Sequence, residues 1–191
     1  MDYLEIIEII AAAVGFVYLV LEYRVSSLLW VFGIVMYALY AFVFFRKGVY
    51  AQMAIDVYYL VVSVVGLLRW GGKKQPQGES QVLSLPRKMF LPVISVTIAL
   101  CIFMPCFLHS FTDEEVWLLD GISAGLGMTA MWLLTKKYYQ QWIFWIIFNP
   151  MVLAISVVQQ MWGTVCLYVA YTIIAVLGYF KWKKIYRNTL K

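Results

Sequence analysis

The sequence is short of the residues on which most enzymes and soluble domains depend. Charged residues make up only 13% of its 191 positions, roughly half the share of an ordinary soluble domain. It has a single histidine, His109, and no HExxH pattern, Walker motif or clustered carboxylate pair. Its three cysteines lie in apolar runs without CxxC spacing, which indicates small packing residues rather than disulfides or metal ligands. We therefore expect no catalytic residues, no metal site and no cofactor.

Long apolar segments are abundant in the chain. Hydrophobic residues make up 64% of the sequence and aromatic residues 18%, and apolar runs long enough to cross a bilayer recur along it. These runs predict seven spans, at 3–22, 26–45, 50–69, 90–110, 116–135, 142–160 and 162–182. The sequence thus indicates an all-α membrane protein with seven transmembrane helices.

The spans contain an internal duplication. At a constant offset of 112 residues, Trp30 aligns with Trp142 and Gly66 with Gly178, without a gap between them. A polar linker and one lone span separate the two triplets, so that both enter the membrane in the same direction and form a 3+1+3 parallel repeat. The predicted boundaries are 1–70 for the first repeat, 71–89 for a cytoplasmic linker, 90–111 for the linking helix, and 112–191 for the second repeat with its C-terminal tail.

Basic residues are distributed unequally over the predicted loops. With seven spans, thirteen of the fifteen Lys and Arg residues fall on one side of the membrane, and only Arg46 and Lys47 on the other. The positive-inside rule then places the N-terminus outside and the C-terminus in the cytoplasm. The net charge of +5 is explained by topology and by contact with the lipid bilayer, and we expect no nucleic-acid partner.

Polar residues inside the spans are candidates for a cargo site. Span three carries a stripe of Gln52, Asp56 and Tyr59, four and then three residues apart, on one helix face. A carboxylate in a bilayer costs about 2.5–3.5 kcal/mol, so that Asp56 needs a compensating interaction. If the triplets face one another, the candidate binding residues converge: Gln52, Asp56, Tyr59, Asp120, Trp142, Trp145, Asn149 and Tyr168.

Structural explanations compete with this hypothesis. Asp120 lies about one turn inside span five and could sit at the outer headgroup level, and Asp56 could hydrogen-bond a neighbouring helix. For Trp70 and Trp182, near the cytoplasmic ends of their spans, we favour an interfacial aromatic belt. A group of glycines in span five indicates close helix approach rather than chemistry: Gly121, Gly125 and Gly127.

Three segments carry a resemblance to a known family. The run from Asp120 to Asn149 ends in W-x-x-W-x-x-x-N, and the segments GVYAQMAIDVYYLVVSVVGLLRW and LYVAYTIIAVLGYFKWKK close the two triplets. Together they resemble the PnuC family of bacterial vitamin transporters over most of 26–186, with a plan similar to that of the SWEET sugar transporters. The resemblance implies inner-membrane uptake of nicotinamide riboside, thiamine or a related vitamin by facilitated diffusion, with trapping by a cytoplasmic kinase. Family members are often homotrimers.

The resemblance also implies roles for residues. Trp142, Trp145 and Asn149 would line the path from span six, and Gln52 and Asp56 would meet the cargo from span three. In three places the sequence departs from members that carry nicotinamide riboside. Those members often have an amide at the position of Asp56 and a glutamine at the position of Met131. Their third span ends in an aromatic motif, and this chain has Gly66-Leu67-Leu68-Arg69-Trp70 in its place.

These departures leave the vitamin open between nicotinamide riboside, which we favour, and thiamine. Both cargoes carry a positively charged aromatic ring, which aromatic faces and a carboxylate attract. A membrane-embedded enzyme or an ion channel is the alternative of another class. Against it stands the lack of a nucleophile–base set, of a repeated filter loop and of a charge ring in the sequence.

Overall fold

A computed structural model describes residues 3–71, 82–111, 116–158, 160 and 162–190. The described residues form seven α-helices: α1 (Tyr3–Tyr23), α2 (Leu29–Lys47), α3 (Tyr50–Gly71), α4 (Arg87–Phe111), α5 (Trp117–Thr135), α6 (Gln141–Val158) and α7 (Trp162–Asn188). The predicted all-α fold with seven helices is confirmed. The predicted turn at 113–115 lies outside the described residues.

Length and apolar composition identify these helices as membrane spans. Within the described residues, six helices, α2 to α7, are long and apolar enough to cross a membrane, and α1 contributes a shorter apolar stretch, Ile9–Tyr23. The whole of α1 has 21 residues, which at 1.5 Å per residue is about the 30 Å of a bilayer core. The chain is therefore a multi-pass membrane protein.

Helix contacts divide the chain into two units, Met1–Ser80 and Gln81–Lys191. In the first unit α2 packs against both α1 and α3, and in the second unit α4, α5, α6 and α7 pack in chain order. The linking helix α4 thus belongs with the second repeat. The four-part division given by the sequence stays a prediction.

The duplication is visible in the backbone. Helices α2 and α6 begin 112 residues apart, as do α3 and α7. The described residues with positive φ form two pairs at the same offset: Val25 (57°) with Lys137 (58°), and Gly48 (77°) with Gln160 (57°). Corresponding turns therefore have the same conformation in both triplets, although their sequences differ. The predicted repeat is confirmed in the local fold.

A tryptophan over a glycine joins the second and third helices of the first triplet. The Trp30 indole is completely buried and lies directly against Gly66, where a Cβ atom would come within 2.5 Å of the ring. Four residues after this glycine, Trp70 packs edge-to-face on the same indole, with ring centroids 5.3 Å apart and an interplanar angle of 89°. Glycine is required here because any side chain would occupy the space of the ring.

The second triplet repeats this arrangement. Trp142 lies against Gly178 and meets Trp182 edge-to-face, at 5.7 Å and 83°. The favoured placement of Trp70 and Trp182 in a lipid-facing belt is therefore wrong, since their side chains are only 7% and 0% exposed. The glycine one turn earlier lets the partner indole approach, and the terminal tryptophan covers its edge.

Glycines also allow α4 and α5 to approach closely, as the sequence predicted. A Cβ on Gly121 would collide with the backbone of Pro105, and one on Gly125 would lie 2.9 Å from the main chain of Cys101. The packing role of these two glycines is confirmed, and Gly127 on the same helix is buried as well.

The described end of the predicted linker is fixed on the turn between α5 and α6. Leu83 forms an isolated parallel bridge with Tyr138. The buried side chain of Gln140 accepts a hydrogen bond from the Leu85 N–H at 3.0 Å and donates one to the Ser84 hydroxyl at 2.9 Å. Helix α4 begins at Arg87, so the last three positions of the predicted linker, 87–89, are helical. The preceding positions, 72–81, lie outside the described residues.

Candidate functional site

The stripe of α3 that contains Asp56 lies on the buried side of that helix. Asp56 is only 5% exposed, and its Oδ2 atom is buried without a hydrogen-bond partner among the described residues. Tyr59, one turn further on, is buried, and Gln52, one turn earlier, is partly buried. An oxygen without a partner does not tie α3 to a neighbouring helix. Its burial in a membrane-spanning helix is the feature expected of a functional carboxylate.

Tyrosines from three helices meet beside this stripe. The rings of Tyr37 on α2 and Tyr59 on α3 are 5.0 Å apart, and Tyr37 also meets Tyr18 of α1 at 6.3 Å, with an edge-to-face angle of 73°. We call Tyr18, Tyr37 and Tyr59 the tyrosine face of the first unit. It supplies aromatic and hydroxyl groups next to Asp56.

Sequence reasoning missed two members of this region, Tyr18 and Glu22. Glu22 is only 1% exposed, one turn beyond Tyr18 on the same side of α1. In the sequence Glu22 is the last residue of the predicted first span, where a charged residue indicates the end of a span rather than a site. The four-residue spacing from Tyr18 to Glu22 was the available signal.

In the second unit, an aromatic cluster joins α6 to α7. The Trp145 indole N–H donates a hydrogen bond to the Gln141 side-chain oxygen at 2.6 Å. The Trp145 ring meets Phe148 edge-to-face, with centroids 5.2 Å apart. The Phe148 ring lies 6.3 Å from that of Tyr168 on α7, and the rings of Tyr168 and Tyr171 are 5.4 Å apart. The structure thus brings together the predicted residues Trp145 and Tyr168, through residues that the sequence did not single out.

The remaining candidates have different surroundings. Asn149 is buried, at 4% exposure, and Trp142 is completely buried, with its indole nitrogen unpaired among the described residues. The packing of Trp142 against Gly178 and Trp182 already occupies much of its ring. Contact of Trp142 with the cargo therefore stays a prediction, and packing of α6 against α7 is the alternative role of this side chain.

Asp120 lies at the start of α5. It is in the first turn of that helix and partly buried, and its main-chain carbonyl accepts a hydrogen bond from Ser123 at 2.8 Å. This location agrees with a headgroup-level carboxylate as well as with a site residue, and both interpretations stay open. Convergence of the α3 stripe with the α6–α7 cluster likewise stays a prediction.

The two units divide the chemistry between them. The first unit holds buried acidic and tyrosine side chains, whereas the second presents amide and aromatic groups from Gln141, Trp145, Asn149 and Tyr168. The groups of the first unit can attract a cation, and those of the second unit can stack on a flat ring and hydrogen-bond hydroxyl or amide groups. Apolar helices with a duplicated triplet and intramembrane polar groups are the features expected of a small-molecule membrane transporter.

Comparison with known proteins identifies the family. The family model described as nicotinamide mononucleotide transporter matches residues 5–184. The chain belongs to this family, a family of transporters.

Individual relatives are similar over most of their length. A protein of Escherichia coli (strain K12) named nicotinamide riboside transporter PnuC is 22% identical over 177 residues, which cover 79% of this chain and 74% of the relative. Proteins of the same name from Neisseria mucosa and Haemophilus influenzae are 24% identical (94% and 72% covered) and 25% identical (83% and 70% covered). A crystal structure of the vitamin B3 transporter PnuC has the same fold, with a TM-score of 0.77 at 22% identity, over 95% of this chain and 82% of that one. The resemblance to the PnuC family is confirmed.

Proposed function

We propose that this protein takes up nicotinamide riboside across the bacterial inner membrane. Support comes from membership in the family and from relatives named as nicotinamide riboside transporters. The structural observation that carries the proposal is Asp56, a buried carboxylate in a membrane span whose Oδ2 has no partner among the described residues. A positively charged ring would supply the missing partner, and nicotinamide riboside carries one.

Each candidate residue has a role in this proposal. In the first unit, Asp56 and the tyrosine beside it, Tyr59, attract the charged ring. In the second unit, Trp145 and Tyr168 provide aromatic faces for stacking, at about 0.5–2 kcal/mol for each desolvated cation–π contact. Gln52 and Asn149 have the amide groups to hydrogen-bond the cargo's hydroxyl and carboxamide groups. Two further residues, Asp120 and Trp142, are assigned to the entrance and to the wall of the path. Because Asp56 is a carboxylate and not the amide common in relatives, thiamine is the second candidate cargo.

We expect the cargo to move by facilitated diffusion. The purified protein in proteoliposomes should give saturable uptake of radiolabelled nicotinamide riboside, equal in both directions and independent of ATP. Unlabelled cargo inside the vesicles should accelerate entry by exchange, whereas an imposed proton or sodium gradient should change the rate little. Protein-free liposomes are the control, and competition by thiamine ranks the two vitamins. A clear stimulation by either ion gradient would contradict this mechanism, and non-saturating flux would indicate a channel.

Orientation is a second expected result. A reporter fused after Lys191 should be cytoplasmic, because thirteen of the fifteen basic residues would then face the cytoplasm. An alkaline phosphatase reporter inserted at 113–115 should be active, since this site would lie outside. A green fluorescent protein at each of the two positions serves as the matched control, because it fluoresces only in the cytoplasm. The reversed pair of signals would exclude the proposed topology.

Two partners complete the proposal. A cytoplasmic kinase that phosphorylates the vitamin would trap it and keep uptake running downhill, and loss of that kinase should lower accumulation in cells without changing flux in proteoliposomes. The family resemblance further suggests a homotrimer. Native mass spectrometry of the detergent-solubilised protein tests this assembly.

A further inference from the structure

A second buried carboxylate lies on the first unit, away from Asp56. Glu22 is 1% exposed and is the last residue but one of α1, whereas Asp56 lies in the first third of α3. The tyrosine face lies between them, because Tyr59 follows Asp56 by one turn and Tyr18 precedes Glu22 by one turn. The ring of Tyr18 in turn meets that of Tyr37 on α2, with centroids 6.3 Å apart. A row of polar side chains therefore runs along the first unit from one acid to the other.

The second repeat shows what the fold itself requires at these positions. At the offset of 112 residues, Leu134 corresponds to Glu22 and Ala130 to Tyr18, and both are completely buried. The turns that follow have the same backbone conformation, with φ of 57° at Val25 and 58° at Lys137. Leucine is close to glutamate in size, so the same local fold forms with an apolar side chain at this site.

Burial of a carboxylate is unfavourable compared with an apolar residue of similar volume. Since the repeated fold accommodates the buried Leu134 at this position, the backbone conformation does not by itself require a carboxylate there. The same comparison applies to Asp56, which corresponds to Tyr168 in the second repeat. Both acids of this row are therefore found in the first unit only, and both are placed beside tyrosines that can stack on a cation.

We propose that Glu22 is a second charge-selecting residue, which receives the positively charged ring of the cargo after it leaves Asp56, at the cytoplasmic end of the tyrosine face. This inference rests on the proposed uptake of a cationic vitamin and on the proposed orientation. In the present conformation Glu22 is enclosed, so the cargo reaches it when the cytoplasmic end of the path opens. Asp56 determines the binding affinity during entry, and Glu22 lowers the energy barrier for release of the cargo into the cytoplasm.

The test uses Glu22→Gln, which removes the charge, and Glu22→Leu, which copies the second repeat. The cargoes are nicotinamide riboside and its dihydro form, which has nearly the same shape but an uncharged ring. In proteoliposomes we expect both variants to lower the maximal rate for the charged cargo by about tenfold, the size of one charge-assisted contact. The affinity for this cargo and the rate for the uncharged cargo should change less than about twofold. Glu22→Asp, which keeps the charge, should restore much of the rate.

The outcomes separate this inference from the proposed function. If the wild-type protein transports no nicotinamide riboside, the proposed function fails and the role of Glu22 fails with it. If the wild type transports it and Glu22→Gln has a normal rate, only the role of Glu22 is overturned. An equal loss for both cargoes, or a lower melting temperature in both variants, would show that Glu22 supports the fold and would also overturn the inference.

Discussion

Asp56→Asn is expected to weaken the binding of nicotinamide riboside by about 10- to 100-fold, while the amount of folded protein in the membrane stays the same. Asparagine keeps the size of the side chain and removes its charge, and a hydrogen bond to a charged group contributes about 1.5–3 kcal/mol. The Oδ2 atom has no partner among the described residues, so its loss breaks no hydrogen bond that this part of the structure shows. Calorimetric titration of the purified variant measures the affinity.

A matched control lies on the same helix. Ser63 is completely buried, and its hydroxyl already donates to the main-chain carbonyl of Tyr59 at 2.8 Å. Ser63→Ala should therefore leave the affinity unchanged. Thermal unfolding in detergent should give Asp56→Asn a melting temperature equal to or above that of the wild type, because a buried carboxylate without a full set of partners is unfavourable. A lower melting temperature, with binding that follows protein abundance, would assign Asp56 to helix packing. Normal affinity with normal stability would remove it from the site.

The helices and their duplication could be predicted because both depend on local sequence. Apolar length determines which segments cross a bilayer, and the constant spacing of Trp30–Gly66 and Trp142–Gly178 places the same contact in both triplets. The stripe of α3 follows from helical periodicity alone. Asp56 was for this reason predictable as a buried intramembrane carboxylate before any neighbour was known.

Contacts across helices could not be predicted in the same way. Trp70 was expected in a lipid belt because of its depth, but depth does not show whether a ring faces lipid or the neighbouring helix. Phe148, which connects Trp145 to Tyr168, looks like any other apolar residue of span six. The bridge of Leu83 to the α5–α6 turn joins residues 55 positions apart, and no periodicity in the sequence reports such a pairing.

Polar residues at span ends were underestimated for a related reason. Gln141 was assigned to the loop before span six, yet it is the first residue of α6, completely buried, and it holds the indole of Trp145. Glu22 likewise is the last residue of the predicted first span, yet it is buried. In a membrane protein the ends of spans combine charged residues with helix packing, so that composition alone does not separate a solvated end from a buried one.

Gly66→Leu is expected to destabilise the fold strongly, by about 3 kcal/mol or more. A Cβ at this position would lie 2.5–2.6 Å from three ring atoms of Trp30, and that indole is completely buried, so it has no free space into which to move. Gly178→Leu should cause a similar loss through Trp142, whose ring atoms lie 2.6–2.8 Å from the Cβ position. The melting temperature in detergent and the amount of monodisperse protein measure both effects.

Control variants show whether the stability loss of Gly66→Leu comes from the clash with Trp30 or from leucine in general. Gly71→Leu is the control, because Gly71 ends α3 and no described residue has an atom within 4 Å of its Cβ position, and it should leave the melting temperature nearly unchanged. Trp30→Ala removes the obstructing ring and should itself destabilise by about 3–5 kcal/mol. Combined with Gly66→Leu it opens space that the leucine fills, so the double variant should lose clearly less than the sum of the two single losses. Additive losses in this pair would show that the indole does not oppose a side chain at Gly66, and the tryptophan–glycine contact would then not be what joins α2 to α3.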